Sequence, residues 1–243
     1  MVKKIIKKFL PEFVKDQYIH IAKQIRNFKI LALEYGQFRT IKNWVCVDRD
    51  GNPIPWYTYP AIEFLSHLDL RGFSVFEYGS GFSTLWWSQR VRKIVSIEHD
   101  KDWFAKIKSK IQDKKRIQYK LADPDIYPFE IMNYSEPFDI IIIDGIKRPL
   151  CAKCVVEYIK KYGGKMIIFD NSDWHPNTID FLRENLDWIE VDFHGFGPIN
   201  NYTWTTSVFL SPNFRTNYSL RLQSLGCLKR VSLEETDNVK KHS

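Results

Sequence analysis

The chain of 243 residues contains only four cysteines, Cys46, Cys151, Cys154 and Cys227, and three methionines. That scarcity argues against a disulfide-stapled scaffold, because such modules are short and cysteine-dense, whereas a chain of this length can bury its own core. Cys151 and Cys154 have the CxxC spacing of zinc and redox sites, yet no second pair or histidine stands at ligand spacing, so they read as two reduced thiols on a helix. Long hydrophobic runs are missing as well: none approaches the roughly 18 to 20 apolar residues that a bilayer span requires. The opening segment, MVKKIIKKFLPEFVKD, interrupts its apolar residues with lysines and soon reaches Pro11, Glu12 and Asp16, which makes a poor secretory signal. The expected compartment is a reducing cytoplasm. Internal repeats and low-complexity tracts are absent too.

What is present is apolar and aromatic. A hydrophobic content of 44% and an aromatic content of 15% indicate a packed globule rather than a disordered chain. The net charge of +7 is unevenly spread: residues 1–43 carry ten Lys/Arg against three Asp/Glu, and residues 215–243 carry six against three. The stretch between them is mildly acidic. Basic arms of this kind attract a membrane surface, a nucleic acid or an anionic glycan, or serve only to keep the chain soluble. The pattern suggests a basic helical extension over 1–55, a central domain over 56–214 and a basic tail over 215–243.

Within the extension, Ile6, Leu10, Phe13, Val14, Ile21, Ile25 and Phe28 recur at roughly helical spacing, with Pro11 as a break or first-turn residue. DRDGNP at 48–53 is turn chemistry, and a helix over 59–67 follows. Short apolar runs rich in β-branched and aromatic residues then predict strands over 74–78, 93–97, 117–121, 138–143, 165–169, 188–193 and 203–210. Helix-length mixtures such as 101–112 and 150–162 separate most of the first five. That alternation predicts an α/β fold, a doubly wound, mostly parallel sheet with helices on both faces. The loop over 195–202 leaves no room for a crossover helix, so the last strand should run antiparallel.

FEYGSGFSTLWWS, residues 76–88, follows the first strand directly. Gly79 and Gly81 stand where a missing Cβ allows close approach of backbone to a ligand and positive φ. Thr84 replaces the third glycine of the dinucleotide fingerprint, so the motif alone is weak. Glu98, closing the second strand 19 positions after Gly79, adds a carboxylate suited to ribose hydroxyls.

Four stretches together, FEYGSG (76–81), SIEHD (96–100), LADP (121–124) and FDIIIIDG (138–145), resemble the class I S-adenosylmethionine-dependent methyltransferases over roughly residues 73–210. The resemblance implies a Rossmann-like seven-stranded sheet with a reversed final hairpin and S-adenosyl-L-methionine as cofactor. It further implies that Glu77 and the Gly79/Gly81 backbone face the amino-acid part of that cofactor, that Glu98 holds the ribose and that Asp123 bonds the adenine amino group. Ser80, Ser83, Thr84, His99 and Asp144 complete the implied cofactor-binding set. Glu77 also reads as a plain loop carboxylate, and Asp123 before Pro124 as a turn residue.

The acceptor side rests on IDGIK and GGKMIIFDN, which resemble the metal-dependent catechol-type O-methyltransferases. That likeness implies Asp144, Asp170 and Asn171 as ligands of a divalent cation such as magnesium, with Lys147 as proton acceptor; oxygen donors from neighbouring strand ends suit a hard cation. The residues around Lys147 and the DNSDWHP loop depart from that pattern. Without a metal, Asp144, Asp170 or His175 is left as the base, His175 having the ordinary pKa range for it. The (N/D)PPY-type signature of exocyclic-amine methyltransferases is missing, which favours an oxygen acceptor. Asn200, Asn201, Tyr202 and Trp204 suit a sugar or another polar ring, and Trp56, Tyr57, Trp86 and Trp87 read as core or lid.

Three functions stay open. One is O-methylation of a small molecule or a sugar or glycan hydroxyl, with KKIIKKFL as a peripheral membrane anchor at the inner face. A second is methylation of RNA gripped by the basic arms, and a third is a non-catalytic cofactor-binding protein. Oligomeric state is not legible in this pattern.

Overall fold

The structure is a computed structural model that describes residues 12–111, 115–216 and 224–227. The KKIIKKFL segment, Pro11 and most of the 215–243 tail lie outside the described residues. The chain divides into two compact units at residue 35/36, residues 224–227 belonging with the first.

In the first unit, helix α1 (Glu12–Lys29) continues into a single wide π turn, Ile30–Glu34. Arg26 Nη2 donates to the Gly226 carbonyl at 3.1 Å within this unit. Ile21, Ile25 and Phe28 of α1 are exposed despite their helical spacing. Among the described residues no helix is long and apolar enough to cross a membrane.

The second unit begins at Gly36, so residues 36–55, grouped with the extension by charge, pack within the body. Gly36 requires glycine here: its φ is +78°, and a Cβ would meet the Asp48 and Arg49 backbone at 2.6 Å. Two helices lead in, α2 (Gln37–Asn43) and α3 (Tyr59–Ser66). The regular part then runs β1 (Ser74–Tyr78), α4 (Phe82–Ser88), β2 (Lys93–Glu98), α5 (Lys101–Lys108) and β3 (Ile117–Leu121). It continues through a 3₁₀ segment (Tyr127–Asn133), β4 (Ile140–Ile143), α6 (Arg148–Tyr162), β5 (Met166–Asp170), a 3₁₀ turn (Ser172–Trp174), α7 (Pro176–Asn185), β6 (Ile189–Gly195) and β7 (Trp204–Leu210).

The seven strands form one sheet in the order β3-β2-β1-β4-β5-β7-β6. The first five are mutually parallel, and β7 runs antiparallel to both β5 and β6, the β6–β7 direction being the one that the short 195–202 connection requires. β4 is four isoleucines, all fully buried, the composition expected of a strand covered on both faces. On one face Phe76, Phe138, Ile141, Val155, Ile159 and Phe169 form the core between the sheet and α6. Trp86 and Trp87 are buried in α4 and belong to the core, whereas Trp56 is exposed. Cys151 and Cys154 are buried free thiols on α6.

At the centre, β1 and β4 lie side by side although the chain visits β2 and β3 between them, so the winding direction reverses there. Two glycines allow the strand ends to close. Gly79 has φ +87°, and a Cβ on it would meet the Asp144 carbonyl oxygen at 2.7 Å. A Cβ on Gly145 would lie 1.9 Å from the Tyr127 hydroxyl. Gly81 differs from expectation: its φ of 170° is extended backbone open to any residue, and a Cβ would make only an ordinary 3.7 Å contact with Trp103. Gly79→Ala is therefore expected to cost about 1–3 kcal/mol of stability, a fall in melting temperature of roughly 3–10 °C for a domain of this size. Gly81→Ala should stay within about 0.5 kcal/mol of the parent; equal losses in thermal denaturation would refute the distinction.

Candidate active site

A cavity of about 640 Å³ opens beyond the carboxyl ends of β1, β2, β4 and β5, at the reversal point where open α/β sheets bind ligands. Its walls come from the glycine loop, the end of β2, the β4–α6 turn, the segment after β5, the loop before β7 and the Trp44–Cys46 stretch after α2.

On the β2 side, Glu98 is buried and heavily engaged. Its Oε2 accepts from the Ser80 amide at 3.1 Å and the Ser80 hydroxyl at 2.6 Å. Its Oε1 accepts from the His99 and Asp100 amides at 2.8 and 3.0 Å, and His99 Nδ1 lies 2.9 Å away. The carboxylate thus ties the glycine loop to the next turn. Ser80 Oγ also lies 2.7 Å from the Tyr119 hydroxyl, an alternative partner if it is to release Glu98 to a ligand hydroxyl. Trp103, on the first turn of α5, donates Nε1 to the Ser80 carbonyl at 2.8 Å and walls this half. Asp100 accepts from the Trp103 amide at 2.7 Å and caps that helix.

Beneath the loop lies Glu77, fully buried. Its Oε2 accepts from Thr84 Oγ1 and, at 2.6 Å, from Ser96 Oγ, while Oε1 is a buried oxygen without a partner among the described residues. Burial drives its pKa up to about 7, the hydroxyls of Ser96, Thr84 and Ser83 pull it down, and the Glu98 charge adds to the rise. Glu77 and Thr84 do not line the cavity; Ser80, Gly81 and Ser83 do.

The other half is organised by Arg148, the first residue of α6. Nε donates to the Gly145 carbonyl at 3.0 Å, Nη1 to the Asp170 carbonyl and to Asn171 Oδ1 at 3.0 Å, and Nη2 to the Asp144 carbonyl at 3.3 Å and Asp144 Oδ1 at 3.0 Å. Five donors meet five acceptors, which exhausts a guanidinium. The Asp144 carboxyl is pushed upward by burial and then by the neighbouring Asp170 charge, against the opposing pull of Arg148. Asp170 rises to about 6, mainly through burial, with Oδ1 accepting from Trp204 Nε1 at 3.0 Å and Thr206 Oγ1 at 2.6 Å. The Cys46 thiol, lining the same space, is pushed up by burial and by these two acids.

These contacts bear on the anticipated cation site. Asp144, Asp170 and Asn171 do converge, but the positive charge among them belongs to Arg148, which engages one side-chain oxygen of Asp144 and the Asn171 oxygen. Trp204 and Thr206 hold Asp170. The donor set does not fit a divalent cation, and among the described residues no three His, Cys, Asp or Glu side chains form a metal cluster. Lys147 sits one residue too early. As the left-handed cap of α6, with φ of +51°, it sends its side chain outward to Asp125 Oδ1 at 2.9 Å and does not line the cavity.

His175 is also elsewhere, in a smaller pocket with Pro149, Lys153 and Phe181, its ring edge-on to Phe169 at 5.7 Å. Burial and then Arg148 lower its pKa. Asp123 is an exposed turn residue whose Oδ1 accepts from the Asp125 amide at 2.9 Å, outside the cavity lining. Conversely Arg148, Trp103, Trp44 and Cys46 line the site without having been singled out. The signals were faint: a helix cap one residue before Arg148, an Asp100 cap three before Trp103, and for Trp44 only a position ahead of a turn. Among the described residues the non-glycine positions with positive φ are Trp44, Lys147, Asn171 and Ile199, and all but Lys147 line the cavity. Backbone strain of this kind concentrates at functional sites.

No family model matches the chain, and no curated protein matches it by sequence. Solved structures do. A protein from Klebsiella pneumoniae provisionally named an O-methyltransferase superposes with a TM-score of 0.51 at 15% identity, covering 77% of this chain and 96% of its own. The O-methyltransferase TomG from Streptomyces achromogenes, involved in tomaymycin synthesis and solved with S-adenosylmethionine, gives 0.48 at 16% identity over 60% of this chain and 74% of its own. A Streptococcus mutans protein provisionally named a methyltransferase, solved with S-adenosylhomocysteine, gives 0.47 at 13% over 61% and 94%. The strand order with its reversed β7, together with the first of these likenesses, identifies the fold as that of the class I S-adenosylmethionine-dependent methyltransferases, as the sequence motifs implied.

Two outcomes follow from the site's electrostatics. Glu77 and Asp170 have folded pKa values above their ordinary ones, so the folded state binds more protons between about pH 4 and 7. The contribution of these two groups to stability should therefore be full below the ordinary carboxyl range and be lost as pH rises toward 7, with Glu77 alone worth about 3 kcal/mol over that window. Glu77→Gln should flatten the slope of melting temperature against pH, and an unchanged slope would refute the assignment. Arg148→Met, which leaves Asp144 without its counter-charge, should cost about 3–5 kcal/mol in denaturant titration at pH 7.5, with part of the loss recovered by Arg148→Met/Asp144→Asn.

Proposed function

We propose that the protein is an S-adenosylmethionine-dependent methyltransferase acting on a hydroxyl of a small molecule or a sugar. The observation that carries this reading is Glu98, a buried carboxylate closing β2 and bonded to the glycine loop of β1, on one wall of a cavity at the reversal point of a methyltransferase fold. Glu98 would take a ribose hydroxyl as Ser80 turns to Tyr119, with His99 and Trp103 flanking the nucleoside. The Gly79–Gly81 backbone would hold the amino-acid end, and the unpartnered Oε1 of Glu77 adds a buried acceptor beneath it. Bound there, the cofactor supplies a sulfonium methyl group, already activated for displacement by an oxygen nucleophile.

The protein's own task is then alignment and proton removal. Asp144 stands beside Gly79 at the centre of the cavity. Its Oδ1 is held by Arg148, and Oδ2 is the proton acceptor for the hydroxyl; the nearby Asp170 charge raises its basicity. Arg148 keeps Asp144 oriented, the task that a cation performs in metal-dependent relatives. Lys147 and His175 have no part in this scheme, since neither lines the cavity.

Calorimetric titration of S-adenosylhomocysteine tests the reading. Micromolar binding is expected in the parent, weakened at least tenfold in Glu98→Ala, about 1.4 kcal/mol, and unchanged by magnesium or by a chelator. An absence of binding to the parent would overturn the proposal. Magnesium-dependent binding would overturn the part assigned to Arg148.

A further inference from the structure

The mouth of the cavity is built of aromatic rings. Trp44, Trp56, Trp174 and Tyr202 all line it, yet they are 65%, 39%, 57% and 45% exposed. They come from four separate segments: the end of α2, the loop before α3, the 3₁₀ turn after β5 and the loop before β7. Trp44 and Trp56 stand edge to face at 6.5 Å. Trp174 and Tyr202 lie at 6.3 Å with planes 33° apart, and Tyr202 leads inward to Trp204 at 6.1 Å. A single exposed ring needs no explanation, but four gathered around one opening mark a binding surface. Trp44 is moreover held in left-handed backbone, φ +52°, which is costly for so bulky a residue.

The floor below these rings is polar in both senses. Asn171 gives its Oδ1 to Arg148, which leaves its Nδ2 as a donor, and Asn200, a second residue with a side-chain amide, belongs to the same lining. Arg148 engages Oδ1 of the Asp144 carboxyl, which leaves Oδ2 as an acceptor. Ligand classes can be sorted by this arrangement. An anionic ligand would meet Asp144, Asp170, Glu98 and Asp100, while Arg148, the one guanidinium in the lining among the described residues, has every N–H committed. An amine would use the carboxylates but leave the amide donors unmatched, and a planar arene would use the rings but little of the floor. A neutral polyol ring satisfies both layers: its C–H face stacks on an indole while its hydroxyls donate to a carboxylate and accept from amides.

Resting on the methyltransferase reading, we propose that the acceptor is a saccharide, whose sugar ring is gripped at the mouth by Trp174 and Tyr202 opposite Trp44 and Trp56. Its hydroxyls point down to Asn171, Asn200 and Asp144.

The test is saturation-transfer NMR on the full chain saturated with S-adenosylhomocysteine. The probes are methyl α-D-glucopyranoside, methyl β-D-galactopyranoside and methyl α-L-rhamnopyranoside, with catechol and benzylamine as competitors of the other two classes. Transfer to the ring protons of at least one glycoside is expected. It should fall at least fivefold in Trp174→Ala and in Trp56→Ala and return in Trp174→Phe, with S-adenosylhomocysteine binding in the same tube reporting an intact fold. Signal on catechol or benzylamine with none on any glycoside overturns the proposal, as does a glycoside signal that survives both alanine variants. A parent chain that fails to bind S-adenosylhomocysteine instead removes the cofactor reading beneath it.

Discussion

The arrangement at the open edge of the sheet depends on one guanidinium. Arg148 begins α6, and from there its side chain turns back over the ends of β4 and β5, taking three backbone carbonyls and two side-chain oxygens at once. A lysine, with three donors and no fork, has no way to make that set of contacts. The clamp fixes Asp144 relative to Asp170 and Asn171, and it keeps a charge of the right sign beside two acids that burial drives toward protonation. Without it the strand ends would present carboxylates and carbonyls to one another with no donor between them.

The fold was largely legible because its signals are local. β-branched runs such as IIII in β4, helix-length mixtures between strands and a connection too short for a crossover determine strand number and direction with little else. Glu98 was legible for the same reason, being the last residue of a strand that had to end at the ligand edge. The acceptor half was not, because its outcome turns on single residues at a helix start. IDGIKR offers two adjacent cations. Sequence spacing does not tell which one a left-handed cap residue sends outward; that cap at Lys147 directs the lysine to Asp125 and Arg148 into the site.

Asp123 shows the same limit from another side. An acid before proline after a strand serves equally as a ligand contact or as a turn acceptor, and here its carboxylate holds the turn. Trp44 was hidden by composition instead. An extension drawn over 1–55 from the basic character of residues 1–43 takes Trp44 in with it, whereas Gly36 starts a well-packed body whose Gln37 and Thr40 side chains bond to the loop before β7. Charge describes a segment's surface and says little about which unit it packs with.

The balance of charge in the cavity also gives a physical reason for the kind of cofactor proposed. Glu77, Glu98, Asp144 and Asp170 stand at or just beneath the cavity, and Arg148 is the cation committed among them. Burial is the first cause of the upward shifts of Glu77, Asp144 and Asp170, and neighbouring acids add to the rise at Glu77 and Asp144. A ligand carrying positive charge would relieve that repulsion and bind with it, whereas the same ligand after losing its charge would not. A sulfonium donor that becomes a neutral thioether undergoes this change during methyl transfer. On the proposed reading, the surplus of buried acid favours binding of the reactant cofactor over its product, and thereby favours release once the methyl group has left.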